Sequence, residues 1–323
     1  RYRVVMGRVM LKKVFDRLSR NSFRRVLPGI YVFLYHEIAN QLSDNFMDIK
    51  VGTDTNIFET HLDYYKDKFC MISLQDAVTL LASGEPISER YGVITFDDAY
   101  RNVIYNAVPL LNEKKIPATI FVCHNPAAGE KGIWRQRLAL LLDPKRKEIL
   151  DYFNKMLKLN CASVDDLFDW CKENYSKKLE QLIDGIWNDL NMDGEDLRLY
   201  ATYDELRSLD DTRYEFGSHT ISHPVLSRIS LSEAREEIVT GHHLVERGLQ
   251  KKVRFFAYPF GCPRHWNSEC EDYIRELSDV CAVGAAGGVN RLFSPLHVRR
   301  IGFTNHSINN VLKVLIEEGK RAS

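Results

Sequence analysis

The sequence lacks the features that mark several large classes of protein. No apolar run approaches the roughly 18–20 residues that a membrane-spanning helix needs, and the best candidate, Gly29–Tyr35, has the length of a strand. No apolar signal-peptide core follows the basic start of the chain. The seven cysteines are scattered and form no C-x-x-C pair, so we expect neither a zinc ribbon nor a disulfide framework, but reduced thiols in a cytoplasmic protein.

The chain also lacks net charge, but its 44 basic and 44 acidic residues are unevenly spread. Residues 1–30 carry nine basic side chains and one acid, Asp16. We therefore separate residues 1–28 as a basic segment, for which two interpretations stay open. Residues 1–25 form either an amphipathic helix on the anionic inner face of a membrane or a helix packed on the protein with a solvated basic face. Nucleic acid is not an expected partner, since no nucleic-acid-binding motif accompanies the basic residues.

Short apolar runs alternate with helical segments through residues 29–323. We predict strands at residues 29–35, 69–72, 91–96, 117–123, 214–217, 253–258, 280–284 and 298–303. Helices are predicted at residues 56–68, 74–82, 99–114, 232–248 and 267–277. This alternation predicts an α/β domain with a largely parallel sheet, and the number of units favours a barrel over an open sheet.

One segment departs from this alternation. Residues from about 134 to 199 are helical in pattern and highly charged, with no strand-like run among them. We interpret the segment as a helical insertion between two barrel units, carried on a strand-to-helix loop. Loops on that face of a barrel shape the substrate cleft, so the insertion either borders the substrate or serves only packing.

Two adjacent carboxylates, Asp97 and Asp98, follow the predicted strand 91–96. The carboxyl ends of parallel strands gather functional groups at one rim of an α/β fold. Two neighbouring acids are costly there unless a cation or protons neutralise them. Successive residues point in opposite directions, so one acid can face a metal and the other the substrate. The alternative is that Asp98 caps the helix predicted to begin near Ala99.

A pair of histidines, His219 and His223, follows the predicted strand 214–217. Their i, i+4 spacing would place both imidazoles on one face of a helical turn, as in metal-chelating helices. Alone, the pair is also compatible with a chance arrangement of surface residues. Together with an acidic pair at another strand end, it predicts a zinc-like site of two imidazoles and one carboxylate, with positions left for water and substrate.

At these residues the sequence resembles the polysaccharide deacetylase family, the NodB-homology or carbohydrate esterase 4 group. Residues 95–98 (TFDD) and 215–226 (EFGSHTISHPVL) are similar to two of its motifs, and residues 256–261 (FAYPFG) to its R-x-P-Y-G-type loop. Residues 35–38 (YHEI) and 297–303 (HVRRIGF) resemble strands of the exopolysaccharide deacetylase branch. The resemblance implies a distorted (β/α)7 barrel, with the helical insertion and the basic segment outside it.

The resemblance also implies roles for the matching residues. Asp98, His219 and His223 are expected to bind a divalent metal, Zn²⁺ first, with Co²⁺, Ni²⁺ or Mn²⁺ as alternatives. Asp97 is expected to be the general base for a metal-activated water. Backbone N–H groups are expected to stabilise the oxyanion, and the substrate is expected to contact a loop of four residues, Tyr258, Pro259, Phe260 and Gly261.

Two positions depart from the family pattern. Ala257 stands where the family has an arginine that orients the base, and Arg300, with Arg299 as an alternative, is the candidate to replace it. The L-x-H motif that carries the general acid has no clear counterpart, so His297 is the candidate and His36, which is also expected to border the substrate, is its rival. Structural roles, as ion-pair partners or buried hydrogen-bonded histidines, are the alternatives.

Together these features predict a metal-dependent hydrolase that removes an N-acetyl group from an amino sugar in a glycan or glycolipid. The same ligands could serve O-deacetylation, deformylation or the opening of a cyclic amide. The barrel could also be catalytically degenerate and bind glycan without hydrolysing it, although the four intact polar residues of the two motifs argue against this. A lipid-linked or nucleotide-linked substrate on the cytoplasmic face of the membrane would fit the basic segment.

Overall fold

The computed structural model describes residues 23–40, 51–142 and 147–321. The predicted amphipathic helix of residues 1–25 lies, except for its last three residues, outside this part of the chain. Within the described residues, no helix is both long enough and apolar enough to cross a bilayer.

The described residues form ten strands, eight of which belong to the main sheet. Their bounds are β1 (Gly29–Tyr35), β2 (Glu37–Ala39), β3 (Gly52–Asp54), β4 (Cys70–Met71), β5 (Arg90–Phe96), β6 (Ala118–Val122), β7 (Tyr214–Ser218), β8 (Phe255–Ala257), β9 (Cys281–Val283) and β10 (Arg300–Gly302). Each of the eight predicted strand runs overlaps one of these strands.

Seven of the strands form a nearly closed barrel in the order β10-β1-β5-β6-β7-β8-β9, with every neighbouring pair parallel. A parallel bridge between Val283 and Val298 narrows the remaining gap between β9 and β10. Strand β1 is buried at all seven residues and β6 at all five, because these strands face the barrel core on one side and the helices on the other. The predicted distorted (β/α)7 barrel is confirmed.

Thirteen α-helices are found in the described residues. They are α1 (Thr55–Lys68), α2 (Leu74–Ala82), α3 (Val108–Lys114), α4 (His124–Ala128), α5 (Trp134–Leu141), α6 (Lys147–Leu157), α7 (Val164–Glu173), α8 (Lys177–Asp189), α9 (Tyr203–Arg207), α10 (Leu231–Arg235), α11 (Gly241–Leu249), α12 (Ser268–Arg275) and α13 (Ile308–Glu318).

The helices predicted at residues 99–114 and 232–248 are each interrupted by a π-helical turn, at Val103–Ala107 and Glu236–Thr240. In the first case Pro109 follows in the next turn, and proline has no backbone N–H to continue the regular hydrogen-bond ladder. The π-helical turn at Val103–Ala107 thus lies between the end of β5, where Asp97 follows, and the start of α3.

The predicted insertion contains helices α5 to α8 and lies between β6 and β7. Its described residues contain no strand. It is joined to the barrel at both ends, because the Trp134 indole N–H donates to the His223 carbonyl at 3.2 Å and the Ala201 N–H donates to the Ala99 carbonyl at 2.9 Å. The insertion therefore begins and ends beside the rim that carries the predicted site.

The barrel has a direction, because its strands are parallel and their carboxyl ends share one rim. His36 follows β1, Asp97 follows β5, His219 follows β7 and Tyr258 follows β8. Gly29, where the chain enters the barrel, marks the opposite end. The predicted site residues are therefore gathered at one end of the molecule by topology alone.

Candidate metal centre and active site

Asp98, His219 and His223 lie together at the carboxyl rim of the barrel. Asp98 Oδ1 is 3.5 Å from His219 Nε2 and 3.7 Å from His223 Nε2. Each side chain offers one ligand atom, and these atoms all lie within 4.8 Å of one another. The three side chains are buried, so the cluster is a small, water-poor set of donors.

The histidines are presented by a loop and not by the helical turn that their spacing suggested. Thr220 and His223 have φ angles of 67° and 61°, in the left-handed region, which a right-handed helix excludes. The loop is held by the buried Glu237, whose Oε2 accepts N–H groups from Ile221 and Ser222, both at 2.9 Å. The helical expectation was wrong because i, i+4 spacing does not by itself determine the backbone.

Asp98 does not have the geometry of a helix cap. Its φ is 67° and that of Ala99 is 50°, whereas a capping residue is normally extended. Its Oδ1 is buried and has no hydrogen-bond partner. The side chain instead points its unpartnered oxygen toward the two imidazoles.

The electrostatics of this cluster suit a cation. Burial, and then the neighbouring Asp97 carboxylate, raise the pKa of Asp98 to about 8. Burial lowers the pKa of His219 and lowers that of His223 well below its usual range, so both imidazoles are neutral at pH 7. The Nδ1–H of His219 donates to the Ala257 carbonyl at 2.7 Å, which directs the Nε2 lone pair toward Asp98. Two neutral imidazoles and one unpartnered carboxylate fit a divalent metal.

Asp97 forms a buried bidentate ion pair with Arg300. Nη1 lies 2.6 Å from Asp97 Oδ1 and Nη2 lies 2.8 Å from Oδ2, while the Arg300 Nε–H donates to the Gly284 carbonyl at 3.0 Å. Burial would raise the pKa of Asp97, but Arg300, together with the nearby His219 and His36, outweighs burial and lowers that pKa to about 2. Arg300 thus reaches the acid from β10, whereas Ala257 on β8 has no side chain that could do so.

A cavity of about 300 Å³ connects these residues. Asp97, Asp98, His219 and His223 line it together with His36 and Phe260. Burial lowers the pKa of His36 to about 4, so this imidazole is neutral at pH 7.

The other residues of the predicted substrate loop lie beneath this surface. Tyr258 is 1% exposed and stacks on Trp266 with ring centres 3.9 Å apart. Pro259 is also buried, and the Gly261 carbonyl accepts the N–H of Ala285 at 2.6 Å. Of the four loop residues, Phe260 is the one that borders the cavity.

His297 is not brought to the site. Its side chain is 49% exposed, and its Nε2 lies 3.4 Å from Glu271 Oε1. It lines a different cavity, beside Cys281 at the start of β9 and Leu296. Of the two histidines considered for the general acid, His36 is therefore the one that shares a cavity with Asp97.

The insertion contributes residues that the sequence did not single out. Arg135 and Gln136 from α5 and Lys172 from α7 line the same cavity, and so does His265 after β8. In the sequence, Trp134 at the start of the insertion helices was the sign that this segment lies near the site. Its indole N–H anchors the insertion to the loop that carries His219 and His223.

Comparison with known proteins agrees with this architecture. The sequence profile described as Polysaccharide deacetylase matches residues 85–278. Among solved structures, the Streptococcus pyogenes deacetylase PplD in complex with acetate has a TM-score of 0.60 at 17% identity and covers 89% of this chain and 99% of its own. IcaB from Ammonifex degensii has a TM-score of 0.60 at 18% identity, with 90% and 97% covered.

A de-N-acetylase from Aggregatibacter actinomycetemcomitans has a TM-score of 0.58 at 12% identity and covers 88% of this chain and 99% of its own. At these identities the likeness concerns the fold. No curated protein matches the chain in sequence.

Proposed function

Because the matching profile spans more than half of its residues, this chain belongs to the polysaccharide deacetylase family, and we propose that it removes an N-acetyl group from an amino sugar in a glycan or glycolipid. The observation that carries the proposal is the placement of Asp98, His219 and His223 in one cavity with Asp97, which Arg300 holds from behind in an ion pair. A hydrolase of this kind needs a site for a cation and a nearby proton acceptor.

Asp98, His219 and His223 would hold the metal, for which Zn²⁺ is the first candidate and Co²⁺, Ni²⁺ or Mn²⁺ are alternatives. When bound, a divalent ion supplies polarisation of the acetyl carbonyl and lowers the pKa of water. The hydrogen bond from His219 Nδ1 to Ala257 keeps the opposite nitrogen unprotonated and aimed at this position.

Asp97 would accept the proton of the attacking water. Its low pKa keeps the carboxylate ionised across the neutral range, and Arg300 holds both of its oxygens in one orientation. Arg300 acts through Asp97 and does not line the cavity, so we assign it a positioning role.

His36 would deliver a proton to the leaving amine. It lines the cavity with Asp97 and is neutral at pH 7, so its ring can accept the proton that Asp97 has taken from the water and pass it to the amine. His297 lies outside the cavity, and we do not assign it this role.

The proposal is tested by measuring acetate release and metal content on the same samples. The wild-type protein with Zn²⁺ should release acetate from an N-acetylhexosamine glycan, and Asp97→Asn should abolish release while retaining metal. His36→Gln should lower kcat by about 10²-fold or more, the usual contribution of a positioned proton donor, while His297→Gln serves as the matched control and should change little. No acetate release from any N-acetylhexosamine glycan would defeat the proposal.

The same assay separates the alternatives. Release of acetate from O-acetylated sugars alone, or of formate from N-formyl sugars, would indicate the related hydrolases, and glycan binding without release would indicate a degenerate barrel. We also propose that residues 1–25 contact an anionic membrane at its cytoplasmic face, because of their basic charge. Equal flotation with anionic liposomes by the full chain and by a chain lacking these residues would contradict that contact.

A further inference from the structure

Two cationic side chains of the insertion line the cavity. Arg135 comes from α5 and Lys172 from α7, and both are partly exposed. The Arg135 guanidinium carbon lies 5.9 Å from the ring centre of Phe168 and 6.0 Å from that of Phe260. Because Phe168 belongs to the insertion and Phe260 to a barrel loop, the guanidinium lies between the insertion and the barrel.

The charges that line the cavity do not balance once the proposed metal is included. Its two acids are Asp97, which is paired with Arg300, and Asp98, which is a proposed metal ligand. Arg135 also has Asp98, Asp169 and Asp165 among its charged neighbours, but neither Asp169 nor Asp165 lines the cavity. The residues that line the cavity, together with the metal, would therefore carry more positive than negative charge.

Lys172 has a partner, but a weak one. Its Nζ lies 3.2 Å from Asp169 Oδ1, and the Asp169 side chain is 78% exposed. An ion pair with such an exposed carboxylate is screened by water and contributes little, so the lysine charge still acts on a ligand in the cavity.

We propose that Arg135 and Lys172 bind an anionic group, a carboxylate or a phosphate, on the sugar unit whose acetamide is hydrolysed or on the group directly attached to it. Arginine forms paired hydrogen bonds with both anions, and its flat face packs on aromatic rings as it does here. A cavity of about 300 Å³ is at the small end of ligand sites, so the anion and the acetamide must be close neighbours. The inference rests on the proposed deacetylation in one respect, namely that the bound sugar carries an acetamide.

The test compares three substrates under the same conditions: a neutral N-acetylglucosamine oligomer, N-acetylmuramic acid with its carboxylate, and N-acetylglucosamine 1-phosphate. At least one anionic substrate should have a kcat/KM about tenfold above that of the neutral oligomer, and the advantage should shrink as salt is added. Preference for the carboxylate or for the phosphate identifies which anion the site takes, and both outcomes support the proposal.

Variants then assign the effect to the two residues. Arg135→Gln and Lys172→Met should each remove most of the roughly tenfold kcat/KM preference for the anionic over the neutral substrate, and Arg135→Lys should retain part of that preference. Lys178→Met is the matched control, because Lys178 is an exposed cation of the neighbouring helix α8 and does not line the cavity. Lys172→Met keeps the test valid if Arg135→Gln does not fold.

Binding measurements distinguish failure of this inference from failure of the proposed function. Calorimetry with the Asp97→Asn protein should show tighter binding of the anionic sugars than of the neutral one. If anionic sugars bind tightly through Arg135 and Lys172 but no substrate is hydrolysed, the proposed function fails and the inference stands. If neutral and anionic sugars are hydrolysed and bound equally, or both variants weaken all substrates alike, the inference is overturned and the proposed function stands.

Discussion

Replacing Arg300 with methionine should destabilise the protein by about 3–5 kcal/mol at pH 7, because it leaves a buried carboxylate without its partner. Arg300 is fully buried and Asp97 is 4% exposed, so solvent compensates only weakly for the lost guanidinium. Methionine preserves much of the apolar contact, including that with the Phe121 ring, whose centre lies 5.1 Å from the guanidinium carbon. The loss of stability therefore arises mainly from removing the guanidinium charge and not from lost packing.

The pH dependence of this loss has a definite sign. A pKa of Asp97 lowered from 3.8 to about 2 corresponds to about 2 kcal/mol of stability. That stability is complete above about pH 4 and is lost as the pH falls toward 2, because the folded-state pKa lies below the unfolded one. Without Arg300, burial would raise the pKa of Asp97, and the variant would instead gain stability on acidification. The gap between the two proteins should thus be widest near pH 7 and narrower near pH 3–4.

The assay is urea unfolding of metal-free protein at pH 7 and pH 4, in the presence of a chelator. Arg299→Met is the matched control, since the neighbouring Arg299 is partly exposed and should change stability by no more than about 0.5 kcal/mol. In the double variant Arg300→Met/Asp97→Asn, part of the loss should be recovered. A cost below about 1 kcal/mol for Arg300→Met, or no recovery in the double variant, would refute the reasoning.

Three further predictions concern the metal cluster and the packing around it. Asp98→Asn should lower metal retention after dialysis and, in metal-free protein at pH 8, raise the stability to unfolding by about 1 kcal/mol or more, because it removes a carboxyl whose pKa burial raises to about 8. Thermal stabilisation by Zn²⁺ should grow between pH 5 and pH 8, as the metal must displace the proton of that carboxyl; a shift independent of pH would contradict the assigned ligand. Gly217→Ala should cost about 1–3 kcal/mol in urea unfolding, because a Cβ would meet the Phe121 ring at 2.3 Å, whereas Gly185→Ala in α8, with open space around it, should stabilise by about 0.5–1 kcal/mol.

Much of the fold was predictable because parallel strands buried on both faces produce continuous apolar runs. Strand β1 is the clearest case, since its predicted and observed bounds coincide. The convergence of Asp97, Asp98, His219 and His223 followed from the same rule, because the residues after parallel strands share a rim. Arg300 was named for a different reason, because Ala257 stands where the family has an arginine and Arg300 lies in a segment that resembles the family's last strand.

Other features could not be predicted from local pattern. The left-handed residues Asp98, Ala99 and Thr220 carry side chains that favour other conformations when considered alone, so their loops depend on tertiary contacts such as those of Glu237. The positions of Arg135 and Lys172 depend on how the insertion folds back over the rim, which no periodicity encodes. His297 was considered because of its place in a motif, although it precedes the predicted strand 298–303 and the strand direction therefore places it at the end of the barrel opposite the rim.

The direction of the barrel constrains how the protein could work beside a lipid surface. Strand β1 runs from Gly29 to Tyr35 in steps of about 3.3 Å, so the chain enters the barrel about 20 Å along the strand from the rim that carries the cavity. The described residues 23–25 precede β1, so a bilayer in contact with these three residues would face the entry end and the cavity would open away from it. A sugar attached to a lipid could then enter the cavity only on a tether that reaches around the barrel, whereas the distal end of a long glycan or a soluble sugar would enter directly.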